Sequence, residues 1–477
     1  MASRSSLQAA PSGSSRGPRS SGRLPGSSTS KVNRRFAILV ALLVAVAPIP
    51  FGSTSPLFSL LLAGGVGALA LAYVLAIRFD AANVRVPPSR APLATAFMLA
   101  TLVMLGVQLL PLPFAVDENI RLAAEALGTP VTARISVDPA ATLLQAVRYG
   151  AYVLFTFLCL QVAARLGRAR IFLETLFWIA VAHGLWALAS LYALDDSFLG
   201  VPKWFVQGFA TGTFFSRNTL ATFMTLGAVA GSGLLALAIT DRTGERLRFD
   251  VAPVILLYLC GIGILAAATF ASVSRMGIVL VILGPSIVLA ALIARSLHGL
   301  ASRLVALAAF GGIVTTITLV YADRLILRVG SVDRDGEVRW AAVLQTYELA
   351  LQRPFVGWGG GTFPTAFPLV REPAVGVNTN WTYAHNLYVE LWSDLGFIVG
   401  SFPILAVLAL TARCCVGAVR NRTRWPYAVT ALAAVLVAGV HSAVDFSLQV
   451  PSVVLFFLAL LAIGTAQSDR PVVGGSP

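Results

Sequence analysis

The sequence predicts an all-α polytopic membrane protein, and three observations predict it. Hydrophobic residues make up 57% of the 477-residue chain and charged residues only 12%. A soluble domain carries about 25% charge, so this much apolar surface needs lipid as its solvent. The apolar residues also gather into stretches of bilayer length, and basic residues mark alternate connections between them.

Taken in order, the chain opens with a Ser-, Gly-, Arg- and Pro-rich arm over 1–35. It has too little apolar surface to fold, and it is read as disordered. The next stretch, NRRFAILVALLVAVAPIPFG, looks like a twin-arginine signal sequence, but the spans that follow favour an uncleaved first helix. Twelve spans are expected, at about 36–53, 56–77, 92–110, 141–164, 171–193, 218–240, 251–270, 276–294, 304–321, 396–412, 427–445 and 450–466. Backbone groups in lipid must be paired within their own segment, which requires helix.

The connections test that count. With the N-terminus in the cytoplasm, inside loops hold Arg78, Arg85 and Arg90; Arg165, Arg168 and Arg170; Arg242, Arg246 and Arg248; Arg295 and Arg303; then Arg413, Arg420, Arg422 and Arg424. Acids such as Asp138, Asp195, Asp196, Glu348 and Glu372 fall on the outside. This is the positive-inside pattern. It places both termini in the cytoplasm and accounts for the net charge of +14 without nucleic acid. Cys159, Cys260, Cys414 and Cys415 form no disulfide framework and no CxxC pair.

The chain thus divides into the arm (1–35), spans one to nine (36–321), a long outside loop (322–395), spans ten to twelve (396–466) and a tail (467–477). The long loop is the outlier, since connections are usually short. It contains a helical pattern, EVRWAAVLQTYELALQRP, ended by Pro354, then the turn GWGGGTF with Gly357 and Gly359, then YAHNLYVELWSDLGFIVG.

The chemistry-bearing residues gather at the outer boundary. His385 has an ordinary pKa of about 6.5, which suits a general base; the plain alternative is an interfacial histidine bonded to a carbonyl. Glu390 and Asp394, four apart, share a helix face and either bind sugar, orient His385 or line a solvated surface. Arg217 and Arg275 begin spans at their outer ends and Arg339 lies on the loop helix. Arginine is disfavoured there, and a pyrophosphate is a reason for it, because guanidinium offers phosphate a planar fork of donors. For Arg339, Asp335 one turn earlier is the alternative partner. His441 and Asp445 stand four apart near the end of the eleventh span, as a functional or a structural pair. No residues have zinc-ligand spacing, and no metal or cofactor is expected.

In this order, Arg339-Trp340, PFVGWGGGTF and AHNLYVELWSDLGFIVG resemble the C-terminal signature of the O-antigen ligase and polymerase superfamily of bacterial inner membranes. GTFFSRNTLATF and SVSRMG resemble its upstream motifs, except that Met276 stands where a small residue is common. The resemblance spans about 205–465. It implies a GT-C-like membrane fold, a periplasmic long loop, and transfer of a glycan from undecaprenyl pyrophosphate to an acceptor hydroxyl on a glycan or glycolipid, without metal. It implies His385 as base, Arg275, Arg339 and, more weakly, Arg217 on the pyrophosphate, and Asn386, Gly357, Gly359 and Asp394 shaping the pocket. Ligase-like transfer and a polymerase extending chains on the lipid carrier differ only in acceptor. A twelve-span transporter or flippase is the other class, but the long loop follows span nine rather than span six and no half-to-half repeat is visible.

Overall fold

The structure, a computed structural model, describes residues 27–78, 84–112, 118–128, 133–240, 252–327, 333–376 and 380–468. Most of the expected arm and the tail from residue 469 lie outside the described residues. The chain is helical almost throughout. In order come α1 (Ser27–Val46), α2 (Pro56–Arg78), α3 (Pro92–Leu109), α4 (Glu118–Leu127), α5 (Pro139–Ala163) and α6 (Leu166–Tyr192). A hairpin of β1 (Ser197–Phe198) and β2 (Val201–Pro202) precedes α7 (Arg217–Thr240), α8 (Ala252–Ser272), α9 (Arg275–Ser296) and α10 (Leu300–Leu327). The long loop contributes α11 (Asp333–Gln352), the single turn α12 (Phe363–Ala366) and α13 (Leu387–Leu395). The chain then re-enters the bundle through α14 (Phe397–Gly400) and α15 (Phe402–Arg420), followed by α16 (Trp425–Ser442) and α17 (Pro451–Ser468).

Ten spans among the described residues are long and apolar enough to cross a membrane, with α14 and α15 forming one of them. Together with α1 and α10 they fall on the twelve expected stretches. The protein is therefore an all-α polytopic membrane protein. Proline opens α2, α3, α5 and α17, where its missing N–H would have no helical partner anyway. Asp138 caps α5 by accepting from the Ala141 N–H at 3.0 Å. Two boundaries differ from the sequence reading. The first span begins at Ser27, inside the stretch read as a disordered arm, and stops at Val46 rather than residue 53. Pro48 and Pro50 end it. The eleventh span stops at Ser442, so Asp445 lies beyond the helix.

Helix α7 is buried along nearly its whole length and packs on α6, α8, α9, α16 and α17. Its glycines permit this. A Cβ at Gly231 would overlap Phe177, and one at Gly233 would overlap Thr430. Lipid provides no hydrophobic drive between helices, so close backbone approach and dispersion hold such an interface. The first turn of α9 is locked to α7 in the same way, with Gly277 against Ala221. The α2 and α3 faces stay exposed, as with Leu57, Leu61, Leu93 and Val103, and are left to lipid.

The glycine turn after α11 holds the C-terminal end of α13. The Trp358 N–H donates to the Ser393 carbonyl at 2.9 Å and the Gly359 N–H to the Asp394 carbonyl at 3.0 Å. Gln108 of α3 donates to the Val356 and Asp394 carbonyls at 2.7 and 2.8 Å and accepts from the Gly360 N–H at 3.0 Å. Arg353 lies over the Trp358 ring at 3.9 Å. Gly357 has φ 65° and its α-carbon faces the Asp394 backbone, so only glycine fits. The Gly357→Ala variant should lose about 1–3 kcal/mol of stability. Gly336→Ala, on α11 where a Cβ meets nothing within 4 Å, should lose none. Thermal unfolding of the two purified variants in one detergent checks the difference.

Candidate functional site

His385 sits immediately before α13 in a conformation that L-residues rarely take, with φ 56°. Hydrogen bonds on both sides hold it there. The Asn386 side chain caps α13, accepting from the Tyr388 and Val389 N–H groups at 3.0 and 3.2 Å. Its Nδ2 donates to the Ala443 carbonyl at 3.0 Å. Upstream, the Ala384 N–H donates to Glu390 Oε2 at 2.7 Å. The cap thus ties α13 to the end of α16 and fixes the direction in which the imidazole leaves the backbone.

That ring is half-buried. It meets Trp381 edge-on at 5.7 Å and Phe446 at 5.1 Å. Its Nδ1 lies 4.0 Å from Asp445 Oδ2 and makes no hydrogen bond. Asp445 is buried and firmly held: Asn218 Nδ2 donates to Oδ2 at 2.7 Å and Ser447 Oγ to Oδ1 at 2.6 Å. Desolvation lowers the His385 pKa to about 4; the Arg339 charge adds to the lowering, and Asp445 opposes it. The imidazole is therefore neutral at physiological pH, the form a base requires.

The arginines approach the same end of the bundle. Arg339 on α11 is near enough to act on His385 electrostatically. The expected alternative partner, the Asp335 side chain, lies outside the described residues. Arg275 is exposed at the first position of α9, after a tight turn in which Val273 has φ 52° and Ser274 caps the helix through the Gly277 N–H at 3.3 Å. The Gly277–Ala221 contact sets that turn beside the first turn of α7. Arg217 begins α7, its guanidinium over the Phe209 ring at 4.7 Å. Its neighbour Asn218 is the residue that bonds Asp445. Met276 is accommodated by packing, partly buried against the main core. The N-termini of α7 and α9 are thus side by side, each led by an arginine, and positive helix ends reinforce cationic side chains.

Three groupings went unread in the sequence. Asp445 faces His385 rather than His441, whose Nδ1 meets Thr222 Oγ1 at 2.5 Å. Asn218 and Ser447 complete the Asp445 site, and no local spacing signals a bond over 227 positions. Glu390 and Asp394 face away from His385. They line a separate cavity of about 500 Å³, whose walls do not include His385 or the three arginines. Gly357 and Gly359 contact the end of α13 rather than the imidazole, so they act on the site at one remove.

Both cavity acids are nine-tenths buried or more. Burial pushes the Glu390 carboxyl up to about 7, against the pull of the Ala384 N–H. Burial and the neighbouring Glu390 charge hold Asp394 well above the usual carboxylate range, although its Oδ2 accepts from the Gly361 N–H at 2.6 Å. A carboxyl raised on folding stabilises the protein fully below its unfolded pKa of about 4.3, and that contribution is lost as pH rises through about 7. Thermal stability should therefore fall between about pH 5 and pH 8. Glu390→Gln, which keeps an acceptor for Ala384, should flatten the slope, with the remainder owed to Asp394; melting curves across that range check it.

Residues 260–404 match the family model described as O-antigen ligase. No curated protein matches the chain. The matched segment contains Arg275, Arg339, the glycine turn and His385, while Arg217, Asn218 and Asp445 flank it. The match supports the O-antigen ligase and polymerase superfamily for residues 260–404 of this multi-pass membrane protein.

Proposed function

We propose that the protein transfers a glycan from undecaprenyl pyrophosphate to an acceptor hydroxyl at the periplasmic face of the bacterial inner membrane, in the manner of an O-antigen ligase. The observation that carries this reading is a neutral, half-buried imidazole beside a buried carboxylate and within the field of the Arg339 guanidinium. The alternation of basic loops gives the orientation, with both termini in the cytoplasm.

In this reaction the acceptor oxygen attacks the anomeric carbon as the bond from that carbon to the pyrophosphate oxygen breaks. The hydroxyl proton passes to Nε2 of His385, and Asp445 faces the imidazolium that forms. The pyrophosphate leaves with the bonding electron pair. Arg275, Arg339 and Arg217 stabilise its growing charge, as preorganised cations do best in a partly dry site. The diphosphate in turn offsets the Arg339 field at His385, so donor binding makes the base stronger. Protein cations take the part of a divalent ion in this scheme, and no metal is invoked.

His385→Ala should lower glycan transfer by about 10²–10⁴ at unchanged membrane abundance, measured with purified lipid-linked donor. In the wild type, kcat/KM should hold across neutral pH and decline only as pH falls towards about 4, where His385 protonates in the free protein. A decline already complete by pH 6 would exclude His385 as the base. Arg275→Lys should not restore the activity lost in Arg275→Ala, because a point charge cannot reproduce a two-pronged phosphate contact; full activity of the lysine variant would reduce the role to charge alone.

A further inference from the structure

The connection from α6 to α7 exposes more apolar surface than a loop in water needs. Helix α6 has 27 residues and is about 40 Å long, against about 30 Å of hydrocarbon. Ile171, Leu185 and Tyr192 share one face of it and are all exposed, so that face meets lipid and reaches the headgroup level at Tyr192. The chain does not turn polar there. Leu194, Leu199, Val201, Trp204 and Val206 follow, with exposures from 38% at Val206 to 66% at Trp204.

The β1–β2 hairpin is built to hold this surface outward. Its turn residues Leu199 and Gly200 have φ 48° and 85°, the pair of positive angles that Asn-Gly ordinarily supplies. Leucine is strained there, and its half-exposed side chain gains little packing in return. Lys203, the one basic residue of 193–216, is turned inward and buried. It pairs with Asp196 and donates to the Phe209 carbonyl at 2.8 Å, while the Gly208 N–H donates to Asp196 Oδ2 at 2.7 Å. A cation is thus kept off the exposed face and used to close the loop. Beneath the hairpin Phe198 stacks on Phe51 at 4.1 Å, and Phe51 on Phe215 at 4.0 Å. Phe51 lies at the corner between α1 and α2, and α2 begins with the exposed Leu57 and Leu61. The hairpin therefore adjoins lipid-facing helix surface twice, through Tyr192 and through Phe51.

We propose that the 194–206 hairpin is an interfacial anchor, with Leu199, Val201, Trp204 and Val206 set among the lipid headgroups and upper acyl chains at the His385 end of the bundle. Tryptophan favours that zone, where its ring meets hydrocarbon and its N–H meets water. A sugar-binding platform would surround the indole with hydrogen-bonding side chains; here the exposed residues around it in the chain are aliphatic and Lys203 is withdrawn. Phe215 stands two residues before Arg217, so the anchor also sets the height of the α7 start above the bilayer. That the leaflet is the outer one rests on the orientation proposed above; the insertion itself does not.

Site-directed fluorescence tests the anchor on the full chain in phosphatidylcholine nanodiscs, with the free Cys159, Cys260, Cys414 and Cys415 replaced by alanine. A nitrobenzoxadiazole label is placed at Val201→Cys or Trp204→Cys. Leu185→Cys is the lipid reference, and Glu348→Cys, exposed on α11, is the water reference. Nitroxide-bearing lipids should quench both hairpin labels, from a depth of about 5–10 Å into the headgroup and acyl boundary. Iodide should quench them much less than the Glu348 label. In the unlabelled chain, the tryptophan emission lost in Trp204→Phe should be emission that brominated phosphatidylcholine quenches, a readout that stands if the cysteine replacements disturb the fold. None of these measurements needs turnover, so failure here leaves the transfer reaction untouched. Iodide quenching equal to that of the Glu348 label, without nitroxide quenching, would overturn the proposal. Shielding of the Trp204 label by added maltoheptaose would make the hairpin a glycan platform, and shielding from both quenchers would make it a contact between protein copies; either result overturns the anchor.

Discussion

The site depends on one strained residue held from both sides. A non-glycine residue in the left-handed region costs of order 1–3 kcal/mol and persists only where its surroundings determine it. At His385 the determinants are Asn386, which caps α13 and reaches Ala443, and Glu390, which takes the Ala384 N–H. The glycine turn fixes the other end of the same short helix through the Ser393 and Asp394 carbonyls. Nine residues of helix are thus held at both ends, and the imidazole direction follows from that. Glu390 has two duties in this arrangement, as backbone acceptor and as cavity wall, which explains why a costly buried carboxyl is kept.

The membrane helices were legible because hydrocarbon solvation acts on composition alone. Any stretch of about 20 apolar residues must be helical in lipid, and ten helices among the described residues have that length and composition. Boundaries were less legible where local chemistry overrides the apolar run, as at Pro48 and Pro50. The cap of α13 is written locally, in Asn386 and Glu390, but its consequence for His385 is a backbone angle that no spacing displays. The Asp445 contact was illegible for another reason. The sequence offered His441, four residues away, as its partner; the helix ends at Ser442 and the chain turns, so Asp445 leaves the α16 face and meets Asn218 from α7 and His385 from the long loop. Such a cluster is a product of tertiary packing between elements distant in sequence.

Glycine illustrates the same division. GWGGGTF reads as a turn whose glycines let the backbone approach whatever lies next to it, and only the resemblance gave it a part in the pocket. What lies next to Gly357 is the Asp394 backbone, and next to Gly277 the Ala221 side chain. The residue type disclosed a close approach in both cases, and only the fold identifies the approaching group. The Arg-led starts of α7 and α9 gain their meaning in this way. Neither arginine signals the other, yet the Gly277–Ala221 contact puts the two helix ends side by side.

Charge is sorted across the 383–390 segment. His385 lies beside Asp445, which Asn218 at the start of α7 bonds, and within the field of Arg339, whereas Glu390 and Asp394 are buried in the wall of a cavity that includes none of these. Had those carboxylates shared a face with the arginines, ion pairs would form there and the carboxyls would ionise at ordinary pH. The Tyr383–Phe446 stack lies between the two, and burial raises the pKa of both acids. The imidazole and the buried carboxyls thus meet different surroundings although five to nine residues separate them in the chain.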